Sequence, residues 1–371
     1  MSSNSFPPLF AGMLLDSASR YAEDHATTNE LQSDPVRELG WTATIVPEEA
    51  GGVGGTLADL ASVVEGLATH GLHLPVVETC AVVPLLLQAA TPEVASRWLE
   101  VVAGGSAQVA PLTPLAATPE DIVVQAKHLD IGYELGGKLQ GVDITLPATH
   151  YLVPAETDGE AVIFLVDAER IAPAATYRTM EGRRGADFVL DKLALPETAC
   201  IARGADARKA LAAATDAALL LTATDTVAAL AALIEQTVNH LKERRQFGVS
   251  LSTFQVLRHR TADMYVKYLG AKGLVIHCFH EYEQKAADLR RTLRLAKVSL
   301  AESARFCAEG AIQMHGGMGV SEEVLATRLA QRLLASEFRY GDRLTHSAYL
   351  VAAHESAEQP SPVSNLTGSA R

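Results

Sequence analysis

Residues 210 to 234 form the longest apolar tract of the chain, broken by Asp216, Asp225 and several threonines. Charges of that kind are costly at membrane depth, so the tract reads as a helix buried inside a protein. Val227, Leu230, Ile234, Val238 and Leu241 continue it at steps of three and four, which gives one apolar stripe. Such a helix needs partners on several sides. The chain beyond Asp206 supplies them, with helical periodicity to about His354.

The rest of the chain falls into two further regions. From residue 8 to about 105 the pattern is helical and rich in Ala and Leu, interrupted at Pro47 to Gly55, where four glycines stand within five positions. Glycines at that density cannot continue a helix, so the segment is a loop between helices. Between about 106 and 200 short β-prone runs appear, at Ile122–Val124, Tyr133–Leu135, Ala161–Val166 and Phe188–Leu190. Gly136-Gly137, Asp158-Gly159 and Glu181-Gly182 punctuate them as turns. The expected fold is a mainly helical α+β chain: an N-terminal helical domain at 1–105, a small antiparallel β barrel or sandwich at 106–200, a C-terminal four-helix bundle at 204–356, and a disordered tail at 357–371.

Composition narrows the function classes. A net charge of −13 disfavours nucleic acid or an anionic membrane as partner. Cys80, Cys200, Cys278 and Cys307 show no metal-ligand spacing and read as apolar fillers in a reducing compartment. The N-terminal MSSNSFPPLF lacks the pattern of a secretory signal, so the cytoplasm is the expected location.

Two stretches of the bundle carry chemistry. Glu243-Arg244-Arg245-Gln246-Phe247-Gly248 is followed by Phe254-Gln255, and Gln313-Met314-His315-Gly316-Gly317-Met318-Gly319 comes later. Taken singly, Arg244 would be a solvated helix-end arginine and Gly316-Gly317 a turn. Together they resemble the acyl-CoA dehydrogenase signatures in which an arginine-x-Gln-Phe-Gly turn and a Gln-x-x-Gly-Gly-x-Gly loop hold the diphosphate and adenosine parts of FAD. Gly40-Trp41 and Val46 to Gly54 resemble another stretch of that family, and the α-β-α order is the same. The chemistry of the residues agrees. A guanidinium is a planar fork of donors for a diphosphate. Glycines without Cβ let backbone N–H groups approach an anion. Gln255 and Gln313 can donate and accept toward neutral edges of a cofactor. The resemblance implies FAD bound through Arg244, Phe247, Gln255, Gln313, Met314, His315, Gly316 and Gly317, with His315 a cofactor contact rather than an acid or base.

The resemblance also implies removal of an α proton from an acyl-CoA thioester by a carboxylate, concerted with hydride transfer from the β carbon to the flavin. Here the sequence departs from the family. Ungapped counting from Gln313 puts Tyr340, before Gly341, where many members carry the glutamate base, and a phenol of pKa near 10 is a poor base. Members that carry the base on the first bundle helix would have it near Ala218. Asp342 and Asp216 are the nearby acids, with Asp342 the stronger candidate. The flavin-cradling runs are also altered, to Pro111-Leu112-Thr113-Pro114-Leu115-Ala116-Ala117-Thr118-Pro119 and Leu139-Gln140-Gly141-Val142-Asp143-Ile144.

In this family each FAD lies across a subunit interface. A chain that keeps the grip on the ADP half and loses the ring cradle is expected to complete the site of a related catalytic subunit, as in α2β2 members acting on bulky acyl-CoA thioesters, including steroid side chains. The rival expectations are a self-sufficient homotetramer using Asp342 and a flavin-free structural subunit. Electron-transfer flavoprotein is the implied electron acceptor.

Overall fold

The computed structural model describes residues 6–25 and 34–358. Its N-terminal layer contains α1 (Met13–His25), α2 (Pro35–Glu38), α3 (Leu57–Thr69), α4 (Val83–Leu87) and α5 (Pro92–Ala103). A capping box starts α3: Thr56 Oγ1 accepts from the Asp59 N–H, and the Asp59 carboxylate accepts from the Thr56 N–H. Ahead of α4, Val77–Val82 winds as a π-helix, a wide turn that recurs at functional sites. The glycine segment is a loop folded back on residues 44–46. A Cβ on Gly52 would lie 2.0 Å from the Val46 carbonyl oxygen, and one on Gly55 would lie 2.8 Å from that of Thr44. The glycines here serve backbone packing.

The chain then builds β1 (Val109–Pro111), β2 (Val124–Leu129), β3 (Gly132–Asp143), β4 (His150–Thr157), β5 (Glu160–Asp167), β6 (Pro173–Arg178), β7 (Arg184–Leu195) and β8 (Cys200–Arg203). They form one sheet in the order β6-β7-β3-β2-β4-β5-β8, with β1 added beside β4. The sheet is mixed rather than purely antiparallel, because β1 and β2 both run parallel to β4. A parallel pairing joins distant segments, and no local turn signal announces it. β6 is exposed at every residue and opens with a proline, the habit of an edge strand. Tyr133, Leu135, Leu139, Val153, Phe164 and Phe188 fill a core belonging to this region alone.

The C-terminal region comprises α6 (Gly204–Glu243), the two-residue strands β9 (Arg245–Gln246) and β10 (Val249–Ser250), α7 (Gln255–Glu283), α8 (Leu289–His315), α9 (Leu325–Ser336) and α10 (Arg343–Glu358). α6 is the axis of the molecule. It packs on α3 and β5 on one side and on α7, α8 and α9 on the other, and 94% of its most apolar window is buried. Leu220, Leu221, Leu230 and Leu233 on it are fully enclosed; each buried leucine contributes about 1.5–3 kcal/mol. The expected tail lies outside the described residues, apart from 357 and 358 at the end of α10.

Candidate functional site

The bundle brings its two glycine-bearing turns together at the ends of α6 and α8. Arg244 leaves α6 with extended backbone, and β9 pairs with β10 around a turn at Phe247 (φ +54°) and Gly248 (φ +82°). Phe247 is 89% exposed and meets the edge of Phe254 at 6.1 Å. Gln255, the first residue of α7, faces solvent, as do Arg244 and Gln313. Met314 and His315 are buried at the end of α8.

Gly316 then breaks the helix at φ +62°, ψ −134°, a conformation that suits glycine. A Cβ placed on Gly316 or Gly317 would meet nothing, so the loop fronts open space. Gly319 differs: its Cβ would lie 2.5 Å from the Ile312 carbonyl oxygen, so this glycine packs the loop onto α8.

His315 joins the two turns. Its ring stacks on His240 of α6 at 4.3 Å and 21°, and both of its ring nitrogens are buried without a hydrogen-bond partner. Burial, with a smaller contribution from His240, pushes its pKa down to about 4. The ring is therefore neutral at physiological pH, with one donor and one acceptor unused.

A second cluster lies where the N-terminal layer, the sheet and the bundle meet. Tyr340, with φ +55° and fully buried, donates its phenolic hydrogen to Glu78 Oε1 at 2.7 Å. Arg339 donates to the same oxygen at 2.9 Å and reaches Asp225 at 3.5 Å. Arg332 clamps Asp225 with bonds of 2.7 and 2.6 Å, and also donates to the Leu72 carbonyl and to His73. Arg183, 1% exposed, pairs with Asp143 at 2.7 Å and Glu181 at 3.0 Å. Glu78, Asp143, Glu181 and Asp225 thus share three guanidiniums inside the protein.

Burial works against ionisation of Glu78, but Arg339, Arg183 and the phenol outweigh it and hold the carboxyl below its usual range. Burial, reinforced by Glu78, raises the Tyr340 phenol well above its ordinary value, so it stays protonated and donates.

The backbone of this turn is equally engaged. Tyr340 N–H donates to the Leu115 carbonyl at 2.7 Å and Gly341 N–H to that of Ala116 at 2.9 Å. His346 accepts from Arg294 on one ring nitrogen and donates from the other to the Tyr340 carbonyl at 2.9 Å. Thr113, Pro114, Leu115, Asp143, Glu78 and Tyr340 line a cleft with room for about 40 Å³ of water-sized occupants, on the order of three waters.

The residue matches are decisive against this geometry. Residues 9–106 match the model of the acyl-CoA dehydrogenase N-terminal domain, and residues 210–345 match that of the acyl-CoA dehydrogenase C-terminal domain.

The chain belongs to the acyl-CoA dehydrogenase family.

Among its relatives is the acyl-CoA dehydrogenase IpdE2 of Mycobacterium tuberculosis, 27% identical over 288 residues, covering 77% of this chain and 74% of the relative. The fold matches a chain of the ChsE4–ChsE5 complex from M. tuberculosis with TM-score 0.80 at 20% identity, over 96% of this chain and 100% of the other. It also matches a glutaryl-CoA dehydrogenase from Mycobacterium smegmatis in complex with FADH2, with TM-score 0.79 at 18% identity, over 93% and 95%.

FAD is the cofactor of the family, and the two ends of such a molecule meet different receptions in this acyl-CoA dehydrogenase chain. The ADP end fits the open glycine loop and the exposed guanidinium of Arg244. The isoalloxazine end does not fit beside Tyr340. There the backbone is already hydrogen-bonded to Leu115 and Ala116 and the cleft against the phenol has room for only about 40 Å³, below the roughly 300 Å³ or more of a typical ligand pocket; a wider cleft of about 710 Å³, lined by Ile144, Thr145, Tyr151 and Arg184, adjoins it through Asp34, Arg37, Gln108, Leu146 and Pro147.

Neither candidate carboxylate lies free in a pocket. Asp342 accepts from the N–H and hydroxyl of Thr345, both at 2.7 Å, in the first turn of α10; these bonds keep its carboxyl below the usual range. Asp216 pairs with Arg290 at 3.4 Å, and burial in the first place, opposed by Arg290, raises it to about 6.

Glu78, Arg183, Arg332 and Arg339 were not singled out from sequence. A lone glutamate inside the apolar run Leu74 to Leu87 was the available signal, since carboxylates are seldom buried without a partner.

Proposed function

We propose that this chain is the FAD-completing subunit of a heteromeric acyl-CoA dehydrogenase, paired with a related chain that supplies the flavin cradle and the carboxylate base. The observation that carries this reading is the contrast between the two ends: an open ADP-type site at the ends of α6 and α8, and a closed, ion-paired cluster where a ring and a base would stand. When bound, FAD supplies the hydride acceptor for α,β-dehydrogenation of an acyl-CoA thioester. The residues of this chain bind and orient it. Arg244 pairs with the diphosphate. Gly316 and Gly317 bring backbone N–H groups to the anion. Phe247, Gln255, Gln313, Met314 and His315 border the adenosine.

A stripe on α7 supports an assembled state. Val266, Leu269 and Ile276 are about half or more exposed on one face of that helix, an apolar surface of the kind that marks an interaction face. The complex named for the ChsE4–ChsE5 neighbour gives a precedent for two different chains of this fold together. The substrate we favour is a bulky acyl-CoA, with electron-transfer flavoprotein as acceptor and the cytoplasm as location. Homo-oligomers using Asp342, and a flavin-free structural role, are the rivals.

Flavin absorbance per chain tests this directly, on protein purified alone and after co-expression with an adjacent dehydrogenase-like gene. The expected result is little FAD alone and one per pair with the partner. One tightly held FAD per chain in the protein alone would overturn the reading.

A further inference from the structure

Between α6 and α7 lies a cleft of about 460 Å³, within the roughly 300–1,000 Å³ of small-molecule pockets. Its lining includes none of the residues assigned to FAD at the ends of α6 and α8. Ile234 and Leu241, both buried, and the half-buried Val238 give it an apolar wall. Two rings add to that wall. Phe6, ahead of α1, meets Tyr265 of α7 edge-on at 5.7 Å, and both border the cleft.

The charges along the cleft are ordered. α6 and α7 are joined by the short β9–β10 turn and pack against each other, so they run antiparallel. Lys242 and Arg258 therefore lie at the turn end of the cleft. Glu235 on α6 and Tyr265 on α7 stand seven residues further from the turn, about 10 Å along each helix. Lys242 and Arg258 are exposed, and among the described residues neither side chain takes part in an ion pair or hydrogen bond. In a chain of net charge −13, two cations without partners on one cleft wall are a local exception.

We infer that this cleft binds a small amphiphilic carboxylate, with its anionic head at Lys242 and Arg258 and an apolar, ring-bearing body against Ile234, Val238, Phe6 and Tyr265. Charge fixes the class and the direction. Two cations against one carboxylate favour an anion over a cation, and Glu235 keeps the head at the turn end. The apolar wall excludes a bare inorganic anion, which would leave it wet. The site stands whether or not FAD binds at the neighbouring turn.

The test is calorimetric titration of the full chain with 4-phenylbutyrate. Saturable binding is expected. The amide 4-phenylbutyramide, which keeps the shape and lacks the charge, should bind about tenfold more weakly, the scale of two exposed charge contacts. Added salt should weaken the acid and spare the amide. Lys242→Met combined with Arg258→Met should bring the acid down to the affinity of the amide, while Tyr265→Ala should weaken both. Excess ADP should leave the affinity for the acid unchanged. Equal binding of acid and amide to the unaltered chain would overturn the proposal, as would an acid affinity untouched by the double substitution. Absence of saturable binding would reduce the cleft to a solvated groove, and displacement by ADP would hand it to the cofactor; either result also overturns the proposal.

Discussion

Tyr340 and Glu78 lie 262 residues apart in sequence and share a 2.7 Å hydrogen bond in the interior. The phenol stands at the position that ungapped counting from Gln313 pairs with the base of many acyl-CoA dehydrogenases, and Glu78 enters from the N-terminal layer to face it. Restoring the family residue with Tyr340→Glu would set two carboxylates at hydrogen-bond distance in a buried place. We expect a loss of at least about 3 kcal/mol in urea unfolding, the scale for an uncompensated buried charge, and no gain of acyl-CoA oxidation. Tyr340→Phe should cost less, about 1–2 kcal/mol, because it leaves one acceptor short of a donor.

Asp342 distinguishes capping from catalysis. Its bonds to Thr345 make it an N-terminal cap of α10, and asparagine caps about as well as aspartate. Asp342→Asn should leave turnover of the assembled enzyme and the melting temperature nearly unchanged, whereas Asp342→Ala should cost about 1 kcal/mol. Loss of turnover in the stable asparagine variant would return the base to this residue.

Gly316 and Arg244 report on flavin retention. A side chain at Gly316 meets no neighbour, so Gly316→Ala acts through its strained backbone, at about 1–3 kcal/mol. Arg244 is exposed, and Arg244→Ala should leave folding intact. Both variants are expected to lower FAD retention of the assembled complex about tenfold or more, the scale of one lost charge-assisted contact. Dialysis followed by flavin absorbance measures this.

The Asp225–Arg332 pair predicts non-additivity. Both groups are buried, so Arg332→Met or Asp225→Leu alone should cost about 3–5 kcal/mol. The double variant should cost clearly less than the sum, because it leaves no lone charge between these two positions. Denaturant midpoints of the four proteins in the cycle provide the comparison.

Acid should act partly through His315. Its ordinary pKa is 6.5, and the fold lowers it to about 4. Above 6.5 both folded and unfolded rings are neutral and the shift has no effect on stability. Between 6.5 and about 4 the unfolded chain binds a proton that the native ring refuses, so stability falls as pH falls through that window. His315→Phe should flatten this part of the profile, as read from urea midpoints at pH 7 and pH 4.5. An unchanged slope would show that the ring titrates normally in the fold.

Much of the fold was legible in the chain because its cues are local. The period of α6, the glycine break at 51–55, the turns at Asp158-Gly159 and Glu181-Gly182 and the Arg244 and Gly316-Gly317 signatures each depend on residues within a few positions of one another, whereas Gly136-Gly137, expected as a turn, lies inside β3 at a break in its register with β7. Such cues specify an element and its surface chemistry before any packing is known.

The rest depends on which distant residues meet. Asp216 and Asp225 look alike as breaks in one apolar tract, yet Asp225 is clamped by Arg332 in the interior and Asp216 sits beside Arg290 at a partly open edge. Glu78 looks like a stray charge until Arg339 and Tyr340 reach it across 261 and 262 residues. The sequence by itself determined the helical and strand periods, most of the breaks between them and the two glycine-bearing turns of the bundle, since those follow from steric and hydrophobic rules acting along the chain. Only the tertiary structure decided the parallel pairing onto β4, the stacking of His315 on His240 and the closure of the region around Tyr340. Desolvation and Coulomb attraction depend on distance in space, and three separate stretches of chain must converge before either can act.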